Sequence, residues 1–398
     1  MVYDLIIKGG HVIDPSQGLD GVYDLGIAQQ RVQKIATNLS TDGCPDVYDA
    51  SGMYVCPGLV DLHGHWYEGG LYGVNAGLCL NHGVTTAVDA GSTGFANFCE
   101  FRRTTMERSP VNLLAFVHIS FLGLHAPFLE ELLDLRYARP AETAETILQN
   151  REHAVGVKVR IGNMTAAHGV EALEMALQAA NEARVPLMVH ISKGADEKEI
   201  LRRLRPGDIL THCFHGRGNG LVAREGNGFI PMVGEARARG VLFDVGHGCG
   251  SFAWETAQKA FEYHFYPDTL STDLHRYCAA EPLWVNLPNV MSKFLCLGMT
   301  LQDVILKTTL APAKALHRET DIGTLRPGAN ADVFAFELAE GEFEFKDTHM
   351  RVRKGFRLIK PRLATRNGVT CTSGTVKVQL RELYEFDKKL LNDIALGA

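Results

Sequence analysis

The chain has 398 residues, 46% of them hydrophobic, enough to bury a large core and too many for a disordered chain. A formal charge of -6, with no Lys/Arg run on an amphipathic helix, excludes a basic nucleic-acid surface and leaves a small molecule as the expected partner. No apolar run approaches the roughly 18 residues of a membrane span.

The amino terminus, MVYDLIIKGGHVIDP, turns polar within four residues, unlike a signal peptide, so a cytoplasmic location without membrane attachment is expected. The nine cysteines are scattered with no C-x-x-C pair, which fits reduced buried thiols better than a disulfide framework or a zinc knuckle.

In chain order, the first residues give short β-rich pieces separated by turns, YDLIIKGGHVID, VYDLGIAQQRVQKIA and DVYDASGMYVCPG. From Leu59 the texture changes, and eight apolar runs alternate with helical stretches. The runs are GLVDLHGH, VTTAVDAG, NLLAFVHIS, VGVKVRIG, PLMVHIS, DILTHCFHG, VLFDVGHG and TLSTDLH. Helices such as HGVEALEMALQAANEAR and AWETAQKAFEYHF supply the crossovers, so a (β/α)8 TIM-like barrel is expected. Then LQDVILKTTLAPAKALH reads as one further helix, and β texture returns in GTLRPGANADVFAFEL and continues through TSGTVKVQL. Residues 1–55 plus 322–385 are therefore expected to form a small β-sandwich domain from both chain ends, with 56–321 as the catalytic barrel.

Reactive side chains of such a barrel sit at the carboxyl ends of its strands. There the first run ends in His63-Gly64-His65, the fourth holds Lys158, the fifth ends in His190, the sixth in His212 and the eighth in Asp273. Imidazole and carboxylate suit Zn2+ and related divalent ions, and the alternation of His63 and His65 turns both rings to one side of an extended strand. A single histidine at a strand end is more often a satisfied polar residue. Coincidence on so many strands favours a metal site.

The stretch AVGVKVRIGN carries Lys158 and Arg160 two residues apart, hence on one face. Beside divalent cations a buried lysine is pushed toward its neutral amine, and a neutral amine can add carbon dioxide to give a carbamate that bridges two metals. Arg160 stays charged and is expected to stabilise a developing oxyanion, with binding of a substrate carboxylate or a structural ion pair as its other readings. Lys193, His215 and His247 lie just past strand ends, where loops shape a substrate pocket, and they are weaker candidates for substrate contact or for orienting a metal-bound ring. Gly246 and Gly248 would allow backbone to approach a ligand closely. The glycine-rich HGRGNG and GHGCGS match neither phosphate-loop motif.

VDLHGH, the lone lysine of the fourth run, the histidines of the fifth and sixth and STD in the eighth resemble the amidohydrolase superfamily over nearly the whole chain. DLHGHWYEGG and VKVR resemble its amidohydrolase/deacetylase, or dihydroorotase-like, branch. The resemblance implies that His63, His65 and Asp273 hold one metal, that His190 and His212 hold a second, and that N6-carboxylated Lys158 bridges them. It also implies an acyl amide or ester hydrolase, with N-acyl amino acids or acetylated hydroxy acids as substrates, in which Asp273 is both ligand and general acid/base. Zinc is the preferred ion, although manganese, cobalt and iron suit the same donors. Cyclic amide hydrolysis of the dihydroorotase or hydantoinase type is the alternative, followed by a non-catalytic structural barrel and by lyase chemistry. The oligomeric state, a homo-oligomer included, stays open.

Overall fold

The amino-terminal strands are β1 (Leu5–Asp14), β2 (Leu19–Ala28), β3 (Arg31–Ala36), β4 (Asp46–Asp49) and β5 (Tyr54–Pro57). This computed structural model describes residues 2–125, 131–162, 168–217, 220–221, 232–279 and 285–372. The barrel follows with β6 (Leu59–Gly64), β7 (Val84–Gly94), β8 (Asn112–His118), β9 (Ala154–Ile161), β10 (Leu187–Ile191), β11 (Ile209–Thr211) and β12 (Leu242–Phe243), and the chain returns to β structure in β13 (Val333–Lys346), β14 (Val352–Arg366) and β15 (Val369–Thr372).

The two chain ends share one eight-stranded sheet, ordered β15-β14-β13-β5-β1-β2-β3, with β4 also on β1. A register break at Gly9–Gly10 lets β1 pair with β4 through its first half and with β5 through its second. Gly9 has φ +69, and a Cβ on Gly10 would lie 2.4 Å from the Val55 methyl, so other residues would disturb the switch. The sheet encloses Ile7, Val12, Leu25, Val32, Val55, Val333 and Leu363. The segment TSGTVKVQL lies almost wholly outside the described residues.

β6 to β12 form a second sheet in sequence order, every pair parallel. The eighth run is not a regular strand, yet it closes the barrel. Asp244 bridges Thr269 beside β12, Gly64 of β6 bridges Leu274, and the N–H groups of Asp273 and His65 donate to the carbonyls of His63 (2.6 Å) and Leu274 (2.8 Å). The helix Gly169–Ala183 buries Leu173, Ala176, Leu177 and Ala180 on one stripe and ends where Arg184 takes φ +55.

The expected single helix over LQDVILKTTLAPAKALH is instead two, Leu301–Leu306 and Leu310–Ala315. The carbonyls of Lys307 and Thr308 turn out of the helix to accept from Leu270 N (3.0 Å) and Val60 N (2.8 Å), and the Thr308 and Thr309 hydroxyls bond back to Val304 and Ile305 carbonyls. Barrel closure thus claims the backbone groups that a continuous helix would have used.

Candidate metal centre

All six donor residues singled out on the strands converge. His65 Nε2 and His63 Nε2 lie 3.2 and 3.3 Å from the same oxygen, Oδ1 of Asp273. Lys158 Nζ is 3.4 Å from His63 Nε2. The rings of His63 and His212 stand 5.0 Å apart, and His212 Nε2 is 2.8 Å from His190 Nδ1. His63, Lys158 and His212 are each 1% exposed and Asp273 is 9%, so the cluster is dry enough for its charges to act strongly on one another.

The far side of each ring fixes its tautomer. Gly246 O accepts from His212 Nδ1 at 2.7 Å, so the proton sits there and His212 Nε2 keeps a lone pair. The Thr211 hydroxyl donates to Asp244 Oδ2 at 2.7 Å and must accept from His63 Nδ1 at 2.9 Å, which likewise leaves a lone pair on His63 Nε2. His65 Nδ1 is engaged by Ser92 Oγ at 3.0 Å. Burial first, and then Lys158, pushes His63 and His212 far below the usual imidazole range, while burial takes His65 down to about 3. The rings are therefore neutral at pH 7, as metal ligands must be. His63, His212 and Asp273 bring their ligand atoms within 4.8 Å of one another. Neutral nitrogens aimed at one another and at a carboxylate, with their outer protons already committed, form a donor set that fits divalent ions.

Burial also lowers Lys158 to about 7, against the pull of Asp273, Asp244 and Glu131, and raises Asp273 to about 6. Two donors are held in strained backbone. β11 stops at Thr211 because His212 takes φ +64, and Asp273 takes φ +47, which is why the eighth run cannot continue as a strand. Each such residue costs about 1–3 kcal/mol.

Arg160 does have the ion-pair partner that sequence left as one of its options. Glu131, fully buried, lies 3.2 Å from Arg160 Nε and 2.9 Å from His118 Nε2. Burial alone would raise the Glu131 carboxyl, but Arg160 and then His118 hold it below the usual range. Tyr72 also bonds to Arg160, whose side chain keeps 18% exposure. Glu131, His118 and Tyr72 were not singled out from sequence. Glu131 belongs to GLHAPFLEELLDLRYARP, the loop after the third strand, of which residues 126–130 lie outside the described set. Asp244 and Thr211, which set the His63 tautomer, stand in runs that were read for their terminal histidines alone.

The three weaker candidates diverge. Lys193 is exposed on the turn after β10. His215 is buried, accepts from Arg217 N at 3.2 Å and is lowered by burial to about 4. His247 is fully buried, its ring stacked on Phe252 at 4.9 Å and met by Lys293 Nζ at 2.7 Å. At Gly246 and Gly248 the backbone comes close to two of the clustered donors. Cβ atoms there would stand 2.7 Å from His212 Nδ1 and 2.3 Å from Asp273 Oδ2.

Among the described residues, no helix is long and apolar enough to cross a membrane. The sequence profile of the amidohydrolase family matches residues 54–377. A deacetylase of Brucella anthropi is 33% identical over 360 residues, 88% of this chain and 88% of that protein. Two crystal structures superpose on nearly the whole fold. One, described as an adenine deaminase, has TM-score 0.87 and 30% identity over 93% of this chain and 100% of that one. The other, described as a dihydroorotase, has TM-score 0.85 and 28% identity over 93% and 99%. With its strand-end donors and this likeness along most of its length, the chain belongs to the amidohydrolase family and is a metal-dependent hydrolase.

Proposed function

We propose that this enzyme removes an acyl group from a small amide or ester, as a deacetylase does, with N-acyl amino acids and acetylated hydroxy acids as its substrate class. The observation that carries the reading is the set of imidazole lone pairs, fixed by Thr211 and Gly246, aimed at the space beside Asp273 and Lys158. The likeness to the Brucella deacetylase over 88% of both chains supports the acyl chemistry.

In this reading His63, His65 and Asp273 hold one divalent ion, His190 and His212 hold a second, and Lys158 lies between them. Zinc suits the nitrogen-rich set. Such ions, when bound, lower the pKa of water and polarise an acyl carbonyl. Lys158, buried and drawn toward its neutral form, adds carbon dioxide: its nitrogen bonds the carbon, one proton leaves, and the lysine becomes an anionic carbamate with two oxygens. Asp273, whose Oδ1 faces both His63 and His65, accepts the proton of the attacking water and returns it to the leaving nitrogen or oxygen. Arg160, held at Nε by Glu131, presents a permanent positive charge to the oxygen on which negative charge develops.

The likeness to the dihydroorotase structure keeps ring opening of a cyclic amide as a second reading, since both reactions use the same donors. One experiment separates them. Zinc-loaded protein is offered a pool of N-acetyl and N-formyl D- and L-amino acids, acetylated 2-hydroxy acids, dihydroorotate and hydantoins. Release of acetate or formate from one enantiomeric series is expected; ring opening alone would replace the deacylase reading with the cyclic one.

A further inference from the structure

The arch Gly246–Gly248 touches both strained donors. Gly246 O accepts the His212 Nδ1 proton at 2.7 Å, and Gly248 lies flat against Asp273 Oδ2, leaving no room for a Cβ. Both glycines need left-handed backbone, φ +47 and +48. The arch is pinned to the closing segment by Gly246 N to Ser271 Oγ (2.9 Å), His247 N to Ser271 O (3.2 Å) and Gly248 N to Thr272 O (2.8 Å). Those bonds hold its inner side.

Its outer side is held by Ser251 N, which donates to His247 O at 3.2 Å, and by the His247 ring. His247 is fully buried; its Nδ1 donates to Gly248 O at 2.9 Å, so Nε2 holds the lone pair that Lys293 Nζ meets at 2.7 Å. Lys293 is 1% exposed on the helix Leu287–Cys296, its Nζ 5.8 Å from the centre of the Phe252 ring on which His247 stacks. The next residue back, Ser292, receives Ile359 N of β14 at 3.0 Å, which ties this helix to the terminal sheet. A lysine carried so far from water, onto an imidazole whose ring partners among the described residues are Gly248, Phe252 and Lys293 itself, has no part in the chemistry proposed above.

We infer that Lys293 is a positioning residue: through His247 it fixes the Gly246–Gly248 arch, and so sets the tautomer and aim of His212 and the placement of Asp273. This rests on the metal reading of the donor cluster. Outer partners that orient metal-bound histidines typically contribute 10–100-fold in metal affinity when removed.

The test is zinc affinity by competition with a chelator, together with the visible absorption of the cobalt(II)-loaded protein, for the parent, Lys293→Met, Lys293→Arg and the double variant Lys293→Met/His247→Phe. The double variant leaves no buried cation without a partner and keeps the stack on Phe252, so it serves if Lys293→Met alone does not fold. Expected are two ions in the parent, affinity for one of them weakened about tenfold and an altered cobalt spectrum in Lys293→Met and in the double variant, and recovery toward parent values in Lys293→Arg. A parent that binds two ions alongside variants with unchanged affinity and spectrum overturns the positioning role, even if their melting temperature falls. A parent that binds no ion overturns the metal reading and the inference together.

Discussion

Two lysines are buried against imidazoles in this protein, and the electrostatics of burial treat them alike. Lys158 and Lys293 are each 1% exposed, and burial brings each down to about 7. Their surroundings differ. Lys158 stands 3.4 Å from one nitrogen of a crowd in which Asp273, Asp244 and Glu131 all pull on it, and no single partner satisfies it. Lys293 makes one short bond, 2.7 Å, to a ring whose other face is stacked, with Asp347 as its main favourable charge. A depressed pKa marks a group that burial has discharged; the number and direction of its neighbours decide whether that group is chemistry or scaffold.

The sharpest way to break the comparison is to remove each amine in turn. Lys158→Met should lower kcat/KM by about 10^4-fold, about 5.5 kcal/mol at the usual 1.36 kcal/mol per decade, and reduce the bound metal below two ions. Metal analysis and steady-state kinetics check it. A Lys158→Met protein with full metal content and activity would make Lys158 a second scaffold lysine. Reconstitution of stripped parent protein should quicken with added bicarbonate, and a rate independent of bicarbonate would remove the carbamate.

Asp273→Asn comes next. It keeps an oxygen near His63 and His65 but cannot take a proton, so kcat should fall about 10^2- to 10^4-fold, with KM moving far less. Equal changes in both would leave Asp273 a ligand without a proton-transfer role.

How far sequence reached follows the same contrast. His63, His65, Lys158, His190, His212 and Asp273 stand at the ends or in the middle of apolar runs, so counting along strands brings them to one mouth. The partners that finish the site come from elsewhere. Glu131 sits in a long loop without periodicity, Asp244 and Thr211 act through side chains whose direction depends on how β11 and β12 end, and Lys293 lies on a helix that sequence presents as ordinary amphipathic structure. The strand pattern itself overran where function bends the backbone. Left-handed His212, Gly246, Gly248 and Asp273 cut the sixth, seventh and eighth runs short, and periodicity carries no sign of a positive φ. The broken helix at Lys307–Thr309 was invisible for a related reason: its carbonyls serve Val60 and Leu270, far away in sequence.

Arg160 offers a smaller effect that sharpens the contrast between a charge used and a charge compensated. Arg160→Met should cost about 100-fold in kcat, about 2.7 kcal/mol, if the guanidinium faces the developing oxyanion. Glu131→Gln keeps the shape and removes the counter-charge, and it should cost only about tenfold, roughly 1.4 kcal/mol. Unchanged turnover and substrate affinity in Arg160→Met would reduce the Arg160–Glu131 pair to scaffold.

The smallest effect concerns Lys293 and is read in stability. Its folded-state pKa, about 7, lies below the 10.5 of an unperturbed lysine, with burial as the main cause. Between those values the unfolded chain binds the proton and the folded chain does not. Stability therefore rises with pH across that window and is lost as pH falls toward 7, at about 1.4 kcal/mol per pH unit for one such group. Chemical denaturation of metal-stripped protein between pH 7 and 9 should show this slope in the parent, and Lys293→Met should reduce it by that one-proton amount. A slope identical in the two proteins would mean that Lys293 keeps its proton inside the fold, holding His247 as an ammonium whose main counter-charge is Asp347.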